Sequence, residues 1–121
     1  MKLVLTYNSV MPLFRYSERK GEMAQPVYKV FLLKPTEAWY QLSKAQQDAL
    51  LKKLNKAFEK AGGKRLALCD SSWSSDQWTG FGVEMFPSIE AVQQYMKALN
   101  DLNWLRYGES ISVLGTEWVA P

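Results

Sequence analysis

Six elements in the order strand, helix, strand, strand, helix, strand predict an α+β domain built on a four-stranded antiparallel sheet. Three observations carry this reading. A β-rich run at residues 27–34 stops at a proline, two stretches of helical apolar spacing each follow a serine N-cap, and two short strands lie between those helices. With 121 residues, 47% hydrophobic and 22% charged, the chain has the size and composition of one globular domain with its own core.

The first strand is Val27–Lys34 (VYKVFLLK), rich in β-branched and aromatic residues and closed by Pro35. Tyr28, Val30 and Leu32 share one face and Val27, Phe31 and Leu33 the other, so the strand is expected to be covered on both sides. Pro35–Leu42 reads as a linker. Ser43 then caps a helix, with Gln46 completing a capping box. Leu50, Leu54, Ala57, Phe58 and Ala61 form its apolar stripe, while Lys52, Lys53, Lys56 and Lys60 lie mostly opposite and Asp48 is spaced to pair with Lys52. Gly62-Gly63 ends it.

Lys64–Asp70 (KRLALCD) and Trp78–Phe86 (WTGFGVEMF) form a hairpin around the polar loop Ser71–Gln77. Pro87-Ser88 opens the second helix, with Ile89, Val92, Met96, Leu99 and Leu102 along one face. Tyr107–Trp118 alternates around Ile111, Val113 and Leu114 and supplies the fourth strand. Two right-handed crossovers on an antiparallel sheet give the ferredoxin-like β-α-β-β-α-β arrangement, with both helices on one face. The apolar residues of the other face then need a cover, and a two-fold homodimer provides one.

Residues 1–22 differ from the rest. Asn8, Ser9 and Pro12 interrupt their apolar stretch, no small-residue cleavage site follows, and a signal peptide is a poor fit. Arg19-Lys20-Gly21-Glu22 can be written wholly in purine codons, as a ribosome-binding sequence is, and Met23-Ala24 follows. The segment is therefore read as an N-terminal extension, either a mis-assigned start or a disordered arm, with residues 23–121 forming the single ferredoxin-like domain.

Composition excludes several chemistries. Without histidine there is no His-dependent triad, no His-ligated zinc and no proximal-His haem, and acid–base work falls to Asp, Glu, Lys or Tyr. The single Cys69 permits no internal disulfide, which suits a cytoplasmic location. Lys2, Arg15, Arg19 and Lys20 against Glu18 and Glu22 put +2 of the net +3 into residues 1–22. The remaining +1 gives residues 23–121 little purchase on nucleic acid. No apolar run approaches the roughly 18 residues needed to cross a membrane. Neither a cofactor nor a metal is implied.

Residues 27–118 look like the dimeric α/β-barrel superfamily, in which two such sheets face each other. Lys34-Pro35-Thr36-Glu37-Ala38-Trp39-Tyr40-Gln41-Leu42-Ser43 and Leu102-Asn103-Trp104 resemble a small uncharacterised subfamily with an A-W-x-x-L lead-in to the first helix and an aromatic pair after the second. The resemblance implies the fold and the facing-sheet dimer. It leaves activity open, since the superfamily holds oxygenases, isomerases, haem-degrading enzymes and non-catalytic domains. Asn103, Trp104 and Tyr107 resemble residues of the haem-degrading members, which also use a histidine that this chain lacks.

The candidate site residues follow from these placements. Trp39, Trp78 and Trp104 stand at element boundaries beside polar residues and are candidates, with Asn103, to line an aromatic pocket; core and seam packing accounts for tryptophans equally well. On the third strand, Gly80 and Gly82 share a face with Glu84, so the carboxylate can stand in a cavity where burial disfavours its charge. The plainer alternative is a bulge, with Glu84 reaching solvent or an arginine. Asp70 and Asp76 flank a serine-rich loop whose composition turn chemistry also explains. Glu84, Asp70 and Tyr107 are the candidate catalytic groups, the carboxylates to move a proton and Tyr107 to polarise a substrate. The leading functional reading is a homodimer that binds a small apolar or aromatic molecule. The alternatives are a cofactor-independent monooxygenase or isomerase, and a structural or partner-binding dimer.

Overall fold

The structure, a computed structural model, describes residues 25–120. The expectations for residues 1–22 lie outside the described residues. The elements run β1 (Val27–Pro35), a one-turn helix α1 (Glu37–Tyr40), α2 (Lys44–Lys60), β2 (Lys64–Asp70), β3 (Gly80–Phe86), α3 (Ile89–Asp101), a 3-10 turn (Trp104–Arg106) and β4 (Gly108–Gly115). The strands lie in the order β2-β3-β1-β4 with every neighbouring pair antiparallel. Each crossover spans one intervening strand, which is the ferredoxin-like arrangement that the element order predicts.

Both long helices begin on serine. Ser43 closes a reciprocal capping box with Gln46, and Ser88 Oγ accepts the Ala91 N–H. Leu54, Phe58 and Ala61 of the first helical stripe are buried, with Leu50 and Ala57 packed beside them. They meet Val27, Phe86 and the buried face of α3, where the rings of Phe58, Phe86 and Tyr95 contact one another at centroid separations of 5.3–5.6 Å. A Cβ at Gly63 would run into the Phe58 ring, so a glycine is needed where the chain leaves α2.

Several boundaries move from their expected places, each for a local reason. The linker after β1 contains α1. The strand expected from Trp78 begins at Gly80, because the Trp78 N–H donates to Ser75 Oγ and its carbonyl accepts from Ser71 Oγ, leaving neither for the ladder. β4 stops at Gly115, which faces Tyr28 beside the first residue of β1. Asp48 pairs with Lys44 rather than Lys52. On α3 the buried face is Ala91, Val92, Tyr95 and Leu99, whereas Ile89 and Met96 are exposed. Met96 sits about 100° around the helix from Tyr95, and the larger ring takes the core.

The two faces of the sheet differ. Val27, Lys29, Phe31 and Leu33 of β1 lie on the helix side. The other side carries two apolar rows across all four strands, Cys69–Phe81–Leu32–Ile111 and Ala67–Val83–Val30–Val113. Among the described residues these rows are open, with Val30 45% and Val113 66% exposed. Of the two-sided cover expected of β1, the described residues supply one side. Among the described residues no helix is long and apolar enough to cross a membrane.

The buried stripe of α2 sets an unequal pair of substitutions. Phe58→Ala should cost about 3–5 kcal/mol in chemical denaturation, and Lys53→Ala, on the exposed side, no more than about 0.5 kcal/mol. Equal losses would mean that α2 packs by another face.

Candidate functional site

A cavity of about 380 Å³ opens between the helix side of the sheet and the two long helices. Phe31, Leu33, Leu54, Leu99 and Trp104 give it apolar walls, and Leu51, Leu68, Met96 and Leu105, all exposed, stand at its border. Lys29, Arg65 and Glu84 supply its charge. Its volume falls in the range of small-molecule sites.

Backbone register brings these charges together. Glu84 pairs with Lys29 across β3–β1 and with Arg65 across β3–β2, so the three form one row over three strands. Only 2% of Glu84 is exposed. Its Oε2 accepts a hydrogen bond of 3.1 Å from Arg65 Nη2, and its Oε1 lies 3.8 Å from Lys29 Nζ. That Oε1 is buried and has no hydrogen-bond donor among the described residues. Both sequence-based alternatives for Glu84 therefore hold in part: it lines a cavity, and it has an arginine partner. The bulge is on β2, between Arg65 and Ala67.

Lys29 is the residue that the sequence reading passed over. It is buried, its Nζ donates weakly to Met96 Sδ at 3.7 Å, and it lies 5.5 Å and 5.4 Å from the ring centroids of Phe31 and Tyr95. Burial pushes its pKa below the ordinary lysine value; the Glu84 carboxylate opposes that shift and Arg65 adds to it. The Tyr95 hydroxyl is pushed up to about 12, by burial first and then by Glu84. The signal was in the alternation: Lys29 stands between Val27 and Phe31 on the face that β1 turns to the helices.

The other candidates lie in different places. Trp104 lines the cavity, packed edge-on against Trp39 at 5.9 Å and lying over Gly108, where a Cβ would come within 2.8 Å of the indole. Trp39 supports that wall from behind. Asn103 takes a left-handed conformation (φ 58°) at the turn into Trp104 and is exposed. Tyr107 does not line the cavity; its carbonyl accepts the Thr36 N–H and its ring faces the Arg106 guanidinium. Trp78 is held in the β2–β3 loop. Asp70 is exposed and bonds Ser72 Oγ and N–H, which lowers its pKa. The structure thus brings Glu84 and Trp104 to one cavity and leaves Asp70, Tyr107, Trp78 and Asn103 outside it. Gly82, expected to leave room, does so for Phe31: a Cβ there would come within 2.6 Å of that ring.

No family model matches the chain, and no curated protein matches it. Solved structures do. A chlorite dismutase variant from Candidatus Nitrospira defluvii superposes with a TM-score of 0.63 at 19% identity, covering 77% of this chain and 40% of that one. This chain therefore spans well under half of the dismutase chain. A protein of unknown function from Rhodopseudomonas palustris gives 0.54 at 13% identity, with 88% and 94% covered. A hypothetical Arabidopsis thaliana protein gives 0.54 at 17%, with 87% and 98% covered. At such identities the likeness speaks to fold alone, and that fold agrees with the dimeric α/β-barrel resemblance drawn from the sequence.

The charged row yields a coupling test. Glu84→Leu should lose about 3–5 kcal/mol, since it leaves Lys29 buried without its counter-charge. The double variant Lys29→Met, Glu84→Leu should be more stable than that single variant, as denaturant titration would show. Strict additivity of the two losses would mean that the groups do not interact.

Proposed function

We propose that this protein binds a small apolar or aromatic molecule in the cavity between the sheet and helices α2 and α3, and that it works as a homodimer. The cavity carries the reading: apolar walls, an aromatic flank at Trp104 and a few converging polar groups are the usual makeup of a small-molecule site. The dimer rests on the two open apolar rows. Covering them with a second copy turns the exposed strand faces into an interior, as the facing-sheet arrangement of the resembled superfamily does.

A second reading has one observation in its favour. Glu84 and Lys29 stand side by side in the same cavity, and in an isomerase the carboxylate would take a proton from an enolisable ligand and return it to another carbon. Lys29 Nζ would face the oxygen on which charge develops, the part earlier assigned to Tyr107. Proton–deuterium exchange next to a ligand carbonyl, lost in Glu84→Gln, would mark that activity.

Light scattering at micromolar concentration should report about twice the 13.9 kDa chain mass, with Val113→Lys shifting the protein toward monomer. In the same preparation, methylnaphthalene should change the tryptophan fluorescence, and Trp104→Phe should remove most of that change. A monomer would remove the dimer, and calorimetric absence of binding by methylnaphthalene and by its hydroxyl and carboxylate analogues alike would remove the ligand site.

A further inference from the structure

Resting on the cavity as a ligand site, we propose that the Lys29–Glu84 pair selects a neutral hydroxyl group on a flat apolar molecule and discriminates against carboxylates. Three features of the site argue for a hydroxyl. Glu84 Oε1 is a buried acceptor lacking a donor among the described residues. Lys29 Nζ, 3.8 Å away, makes among the described residues only the weak hydrogen bond to the Met96 thioether and so has N–H capacity to spare. Both groups line the same cavity. A hydroxyl is the smallest group that serves both, accepting from Nζ through its lone pair while donating to Oε1. Once made, it removes the cost of an unsatisfied buried acceptor.

An anion fits poorly despite the positive excess of Lys29 and Arg65 over Glu84. A carboxylate brought to Lys29 adds a second acceptor beside Oε1 and supplies no donor. It would also approach the faces of Phe31 and Tyr95, between which the ammonium lies. Those π-faces carry negative potential, favourable to a cation and unfavourable to an anion. Arg65 stands on the far side of Glu84 from Lys29 and its side chain is one-third exposed, so water screens what it offers an anion at Lys29. The apolar body of the ligand would lie along Phe31, Leu99 and Trp104.

Three probes of one ring system separate the terms: naphthol, methylnaphthalene and naphthoate, each substituted at the same position and titrated calorimetrically into the full chain at neutral pH. Naphthol should bind at least about tenfold more tightly than methylnaphthalene, its near-isostere, because the site's polar pair is left unserved by a methyl group. Naphthoate should be the weakest of the three. In the double variant Lys29→Met, Glu84→Leu the ratio of naphthol to methylnaphthalene affinity, both measured on that variant, should fall to about one. Equal binding of naphthol and methylnaphthalene by the unaltered protein would overturn hydroxyl selection and leave the apolar site standing. Tightest binding by naphthoate would replace it with an anion site. A preference for naphthol that survives in the double variant would place the hydroxyl on other groups and overturn the assignment. Failure of all three probes would overturn the ligand site itself, and this inference with it.

Discussion

The arrangement of this domain depends on a row of charges laid across three strands under two helices. Arg65, Glu84 and Lys29 stand on successive strands at directly opposed positions, and the carboxylate between the two cations is almost wholly enclosed. An enclosed carboxylate is costly without partners. Each cation therefore has to be delivered to the helix side at the right level, and strand register is the only device that does so. A slip of one residue in either pairing would turn a cation to the far face. The row thus ties charge balance to strand alignment. The bulge after Arg65 lets β2 keep this alignment at its start while shifting the residues that follow.

The same alternation divides the work of the sheet. Residues of β1 that face the helices include the buried lysine and two walls of the cavity, whereas those on the other side build the apolar rows. Since neighbouring residues serve opposite faces, the ligand site and the proposed dimer surface are separated by the thickness of one strand. They share backbone and do not share side chains. Arg65 links the cavity to the core as well, since its guanidinium lies 4.9 Å from the Phe58 ring centre and is one-third exposed. Its outer side meets water, which Lys29, closed in by Phe31, Tyr95 and Met96, does not.

The fold was legible in the sequence because its signals are local: serine caps, a glycine pair after α2, the proline that ends β1 and periodic apolar residues. Phe58 and Leu54 were identifiable for that reason. The site was legible in part. Glu84 was found through its glycine neighbours, and Trp104 through its place at an element end. Lys29 was passed over because a lysine amid apolar residues reads as solvated, and only the register with Glu84 explains its burial. Tyr95 was passed over because an aromatic hydroxyl is compatible with either surface or core. Asp70 and Tyr107 share the chemistry of catalytic groups, but distance in the fold is set by topology, and residues at element ends far apart in sequence carry no local sign of whether they meet.

The placement of β1 at the centre of the sheet also bears on biosynthesis. Its two neighbours are β3 and β4, which begin at Gly80 and Gly108, so the first of the described strands to be made waits for partners supplied much later. At translation rates of about 5–20 residues per second, that wait lasts seconds. Throughout it, an apolar strand with unpaired backbone groups is available to other nascent chains. Lys29 and Lys34 interrupt that run with charge, the kind of residue that hinders premature strand association. The lysine that ends buried in the folded sheet is thus a charge on the open strand until β3 and β4 arrive.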